Sequence, residues 1–220
     1  MSQSILTSPD PNLLHPLPGF TSVVFLKPLL AQEQITNVVV GDYSYYHDFD
    51  EPRSFFRRNV RYNIGFSGTH LRIGKYCAIG HGATILMADC NHPIGGVTTF
   101  PFAIFGQDWA DPPLDQYPHG PVRDIVIGND VWIGYEATIL PGTRIGNGVI
   151  IGAKAVVGGD IPDYSVVVGN PGRVIKKRFD DDTIARLLKL AWWDWPAEKV
   201  ALNTELLIKG GIDGLESLCD

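Results

Sequence analysis

The chain of 220 residues has only three cysteines, two methionines and no long apolar run, and each scarcity removes a class of protein. An odd cysteine count does not make a disulfide framework, so a reducing cytoplasm is the compartment expected. The first twenty residues carry prolines at 9, 11, 16 and 18, with no basic start and no apolar stretch long enough to span a bilayer. Neither secretion nor membrane insertion is therefore expected. Positive charge is also short: 18 Lys+Arg against 24 Asp+Glu give a formal charge of -6. That balance speaks against a general nucleic-acid or anionic-membrane surface. Glycine, by contrast, is plentiful at 24 residues, and with 16 prolines it suits one turn-rich domain over 1–220.

The glycines follow a period. Every sixth residue from Ile127 to Val157 is aliphatic (Ile127, Ile133, Ile139, Ile145, Ile151, Val157), and Ile73, Ile79 and Ile85 keep the same spacing earlier. Glycine usually follows, at 74, 80, 128, 134, 146, 152 and 158. Four places after each of them except Ile85 stands a small or aliphatic residue: Cys77, Ala83, Val131, Ala137, Thr143, Val149, Ala155 and Ile161. On an α-helix, positions six apart are turned by roughly 240° and bury no single stripe. On a strand, offsets of four and six stay on one face. The period thus predicts short strands with corners, three hexads making a triangular turn of about 18 residues, and turns stacked about 4.8 Å apart as a parallel β-helix. The hexad glycines and the pairs Asn129-Asp130, Asn147-Gly148 and Pro141-Gly142 are expected to supply the turns.

Along the chain, 21–46 reads as an N-terminal strand or ordered arm followed by an irregular first hexad. From 47 to 62 the phase is lost in HDFDEPRSFFRRNVRY, which reads as a surface loop packed on the helix. Coils run over 66–87 and 125–175. Between them, 88–124 is an inserted loop of a length that is usually functional inside a compact domain. The region 179–218 reads as helices at about 180–190 and 197–208, expected to cap the open end of the solenoid.

Among six histidines, His92 in MADCNHP stands where the coils give way to the inserted loop. An unprotonated imidazole there can take a proton from a hydroxyl. His81 falls at a coil corner and is expected to be solvated, while His15, His47 and His119 carry no signal of their own. His70, His81 and His92 are evenly spaced, but eleven residues is no multiple of a coil, so the three would face different sides and share no metal within one chain.

The segments VVVGDYSYY, LRIGKYCAIGHGATILM, the Asn91-His92 pair, FPFAIFG, IGNDVWIGYEATILPGTRIGNGVIIGAKAVV, VVGNPGRVIKKRF and LAWWDWP, in that order, resemble the xenobiotic acetyltransferase branch of the hexapeptide acyltransferases. That branch includes type B chloramphenicol and streptogramin A acetyltransferases. The resemblance spans about 23–196 and includes the loop and tail as well as generic hexads. It implies a left-handed coil, a homotrimer with sites between neighbouring subunits, and transfer of acetyl from acetyl-CoA to the hydroxyl of a small acceptor. His92 aligns with the family's general base, with Nε2 removing the proton. Trp132, Tyr45 and Asn91 fall on the acceptor side. The pantetheine arm is expected near Gly134, Ala153 and Gly169, Asn170 and Pro171, and Arg173, Lys176 and Lys177 suit the CoA phosphates. No metal, nucleic acid or membrane partner is implied.

Departures concentrate at the acceptor side. Family members commonly read M-N-G-A-N-H-R where this chain has Met87-Ala88-Asp89-Cys90-Asn91-His92-Pro93, and Tyr-His-Tyr or Tyr-His-Phe where it has Tyr62-Asn63-Ile64. A native hydroxylated metabolite or sugar is the rival acceptor. A silent β-helix used for assembly and a metal-dependent hydratase are rivals from other classes.

Overall fold

The structure is a computed structural model that describes residues 8–218, so the amino-terminal reading falls partly, and Cys219 wholly, outside the described residues. Each hexad forms one short strand and one corner, and the strands assemble into three sheets, the sides of a triangular prism. The seven-stranded side runs Val23–Phe25, Tyr45–His47, Ala78–Ile79, Trp132–Ile133, Ile150–Ile151, Ser165–Val168 and Arg173–Lys177, antiparallel only at its two outermost pairs. The five-stranded side holds Val38–Val40, Leu71–Ile73, Ile125–Ile127, Arg144–Ile145 and Asp160–Ile161. The four-stranded side holds Val60–Arg61, Thr84–Leu86, Thr138–Ile139 and Val156–Val157.

Register converts the period into a core. Ile79 pairs with Ile133, Ile133 with Ile151 and Ile151 with Val167, each at most 1% exposed, so identical chemistry stacks coil on coil. The ladders Ile73-Ile127-Ile145 and Ile85-Ile139-Val157 do the same on the other sides. Burying each such side chain is worth about 1.5–3 kcal/mol. The insertion leaves this stacking intact: Leu71–Ile73 pairs directly with Ile125–Ile127, and the arm leaves from a corner.

The hexad glycines serve a purpose other than the expected turns. A Cβ on Gly74 would lie 2.4 Å from the Gly128 carbonyl oxygen, and one on Gly134 would lie 2.8 Å from the Ile151 carbonyl oxygen. Their φ angles are outside the left-handed region, so bare coil-to-coil contact is what demands glycine. The left-handed residues come later in the hexad: Tyr43, Tyr76, Asp130, Gly148 and Tyr164 form one edge of the prism, one per coil. There the N–H of Asp130 donates to the Lys75 carbonyl (2.9 Å) and that of Gly148 to the Asn129 carbonyl (2.8 Å). Side chains repeat the pattern: Asn129 Oδ1 accepts from Lys75 N (2.8 Å), Asn147 Oδ1 from Asn129 N (2.9 Å) and Asp163 Oδ1 from Asn147 N (2.6 Å).

Two regions differ from the sequence reading. The stretch 47–62 is no surface loop: Phe55, Phe56 and Val60 are buried, and Val60–Arg61 pairs in parallel with Ile85 and Leu86, closing the first coil. Arg53, Arg57 and Arg58 stay exposed, so a charged sequence hid an apolar inner face. In the tail, the helix Asp181–Leu190 starts where Asp180 accepts from Thr183 N (2.7 Å). The second stretch breaks at Asn203 into Ala197–Leu202 and Thr204–Lys209, with Ile212–Glu216 after it. The tail lies along the left-handed edge. Trp192 packs on Tyr76 (4.7 Å between rings), Lys75 pairs with Asp194 (2.9 Å), and Arg178 reaches Asp130 (3.3 Å) and the Gly148 carbonyl (2.7 Å). Among the described residues no helix is long and apolar enough to cross a membrane.

Candidate active site

The coil strand Thr84–Leu86 ends at Met87, which is buried, and the tight turn Ala88–Cys90 then swings the chain outward. Pro93 is buried again, so His92 is presented from a short span anchored at both ends. Its Nδ1 lies 2.8 Å from the Thr99 carbonyl oxygen. A carbonyl only accepts, so Nδ1 carries the hydrogen and Nε2 keeps its lone pair. Thr99 was invisible to sequence reasoning because the contact is made by backbone, which every residue has.

His92 lines a cleft of about 620 Å³. Phe66, Ile94, Pro121 and Val122 give it apolar walls, and Asp89, Asn91 and His119 add polar ones. His119 had no sequence signal, yet the arm folds back and sets its ring edge-on to Phe66 at 5.6 Å, with Nε2 3.0 Å from the Leu114 carbonyl oxygen. Of the residues expected at the acceptor side, Asn91 joins His92 in the cleft.

Tyr45 and Trp132 stand elsewhere. Both are on the outer face of the seven-stranded side, where register lines up Tyr45, Ala78, Trp132, Ile150, Val166 and Lys176 in one outward column. Trp132 is 54% exposed, and neither ring lines the cleft of its own chain. Small Ala78 stands between them in the register. Lys176 continues the column on the last strand, beside exposed Arg173 and Lys177, although Lys177 is also paired with Asp181 (2.5 Å). Gly169, Asn170 and Pro171 form the exposed connection into that strand. Gly134 is buried against the next coil and Ala153 is exposed at the following corner.

The three evenly spaced histidines do lie apart: His70 beside Asp124 (3.6 Å), His81 beside Asp48 (3.1 Å) and His92 on Thr99. His81 corrects an expectation, since it is largely buried rather than solvated. The 47–62 segment folds over its corner, and its ring stacks on Tyr135 at 5.5 Å. Asp48, Asp50 and His81 bring possible ligand atoms within 4.8 Å of one another. Asp48 is nonetheless already engaged, accepting from the Tyr46 hydroxyl (2.5 Å) and from the main-chain N–H of Asp50 (2.8 Å) and Glu51 (2.9 Å). Those bonds close the turn that leaves Tyr45–His47.

Known proteins resemble this chain over most of its length. Residues 124–159 match the bacterial transferase hexapeptide family of six repeats. A chloramphenicol acetyltransferase of Agrobacterium fabrum is 42% identical over 84% of this chain and 88% of its own length. A virginiamycin A acetyltransferase of Staphylococcus aureus is 41% identical over 94% of this chain and 92% of its own. A probable macrolide acetyltransferase of Lysinibacillus sphaericus is 44% identical over 77% and 92%. Identity at this level across nearly whole chains extends beyond the coils to the arm and tail. The repeats form a left-handed parallel β-helix, and the chain is an acetyltransferase that belongs to the xenobiotic acetyltransferase branch of the hexapeptide-repeat acyltransferases.

Proposed function

We propose that the chain moves the acetyl group of acetyl-CoA to a hydroxyl of an antibiotic-like acceptor, with His92 as general base. The observation that carries this reading is the Nδ1 contact with the Thr99 carbonyl, which leaves Nε2 free to accept a proton at the edge of the cleft. The acceptor oxygen attacks the thioester carbonyl as Nε2 takes its proton. The tetrahedral intermediate then collapses, the carbon–sulfur bond breaks, and the imidazolium returns the proton to the departing thiolate. A base so placed contributes about 10² to 10⁴ in rate.

The separation of His92 from Tyr45 and Trp132 supports a homotrimer in which one subunit's cleft faces the neighbour's outward column. The arm supports it too, since Phe100, Phe102, Phe105 and Trp109 cluster ring on ring yet remain exposed. Such a patch fits burial against a second copy. Asn91, Tyr45 and Trp132 then border the acceptor. The donor runs along the column past Gly134, Ala153 and Gly169, Asn170 and Pro171, with its phosphates near Arg173, Lys176 and Lys177. Apolar cleft walls favour a bulky, largely apolar acceptor over a sugar, in line with the acceptors named for the relatives. The described cysteines, Cys77 and Cys90, are free thiols, which suits the cytoplasm; burial pushes the Cys77 thiol up to about 11.

The test is release of free CoA thiol with chloramphenicol, virginiamycin M or simple sugars as acceptor. Turnover of an antibiotic is expected. Turnover confined to sugars would overturn the acceptor reading, and none with any hydroxyl would overturn the reaction.

A further inference from the structure

The carboxylate of Asp89 gathers the backbone of a loop more than twenty residues before it in the chain. Oδ2 accepts from the main-chain N–H of Ile64 (2.9 Å), Gly65 (2.7 Å) and Phe66 (3.2 Å), and Oδ1 from that of Ser67 (2.6 Å). Gly65 sits at φ +93, in the left-handed region, which lets successive amides converge on one anion. Burial would raise the Asp89 pKa, but the hydrogen bonds from Ser67, Gly65 and Ile64 outweigh it and hold the carboxyl below the usual carboxylate range.

The clamped loop is a wall of the cleft. Phe66 and Ser67 line it, and Phe66 is 51% exposed, so its own packing does little to hold it. Asp89 itself belongs to the Ala88–Cys90 turn, three residues before His92. One carboxylate therefore ties the Phe66 wall to the segment that presents the candidate base.

We propose that Asp89 is a positioning residue for acceptor specificity, fixing Phe66 at a set place relative to His92 so that the cleft selects hydroxyl acceptors with an apolar or aromatic face. The inference rests on the acetyltransferase reading above for its substrate. The clamp itself is a property of the free chain. An unclamped loop must be ordered by each acceptor that binds, and that cost falls on acceptor affinity while the chemistry at Nε2 is spared.

Two substitutions test it on the full chain. Asp89→Asn keeps the shape and removes the charge, and Asp89→Ala removes the acceptors altogether. Amide hydrogen exchange at 64–67 is expected to quicken in both, more in Asp89→Ala, while Ile133 and Ile151 keep their protection. Acceptor KM is expected to rise about tenfold, with kcat and the acetyl-CoA KM within about twofold of the parent. Phe66→Ala serves as the second variant, expected to raise acceptor KM while exchange at Ile64 and Gly65 stays slow. Unchanged exchange at 64–67 in Asp89→Ala overturns the clamp. Faster exchange with unchanged acceptor KM overturns its role in specificity, as does an equal fall of kcat for every acceptor. If the parent enzyme turns over no acceptor, the functional reading fails while the exchange result still decides the clamp.

Discussion

The coils and the arm between them follow opposite rules. From 125 to 151 every strand is bonded to strands above and below, and the inward isoleucines stack on aliphatics one coil away. From 88 to 124 the backbone makes no strand, only tight turns, and leaves Ile94 78% and Ile104 61% exposed. Contact by contact, the coils are redundant and the arm is not. Losing one rung of a ladder weakens a stack, whereas losing the Thr99 contact or the Asp89 clamp leaves nothing nearby to replace it. Stability is concentrated in the first region and, on the proposed mechanism, chemistry in the second.

His92→Ala is the sharpest way to test that division. Acetyl transfer should fall about 10² to 10⁴-fold while the melting temperature stays unchanged, because the residue is exposed and holds no core contact. A matching loss of stability would erase the contrast. In the coils, Ile133→Ala should cost about 2–5 kcal/mol in denaturant unfolding, since Ile133 is fully buried between Ile79 and Ile151. Gly74→Ala should cost about 1–3 kcal/mol, because its Cβ would strike a backbone carbonyl that cannot move without shifting the next coil.

Milder still is the acid response of the clamp. The Asp89 carboxyl is held below its unfolded value, so its stabilisation is present above the unfolded carboxylate pKa and drains as pH falls toward the folded one. Asp89→Asn should therefore show a shallower loss of stability on acidification than the parent, read from melting temperatures across that range. The smallest expected effect is that of a chelator, which should leave activity intact. Strong loss would turn attention to Asp48, Asp50 and His81.

Much of the scaffold was legible. A period of six admits only a strand with corners, so inward Ile79 and outward Trp132 are told apart by sequence alone. Where reading faltered, the cause was an interrupted phase. The 47–62 segment looked polar because its arginines outnumber its inward phenylalanines, yet Phe55 and Phe56 are core. The hexad glycines were assigned to turns when they mark contact between coils, since composition cannot separate a φ requirement from a steric one. The tail's contacts along an edge, through Trp192 and Arg178, are not legible in its helical periodicity.

For the candidate site, His92 stood out because it follows the end of a repeat and matches a family pattern. Thr99, Asp89 and His119 could not, because their contributions depend on how an aperiodic loop closes. The outward column shows both limits. Trp132 and Ile150 are one coil apart in sequence, so their pairing follows from the period, while Tyr45 joins Ala78 across an insertion that is no multiple of the period. By itself, then, the sequence determined which residues face the core and which family the chain resembles, since strand alternation and stacking repeat locally. Only the tertiary structure decided that His92 donates to Thr99, that Asp89 holds the Phe66 wall, and that Tyr45 and Trp132 stand on another face from His92. Those arrangements rest on hydrogen bonds and ring contacts between segments that no local period relates.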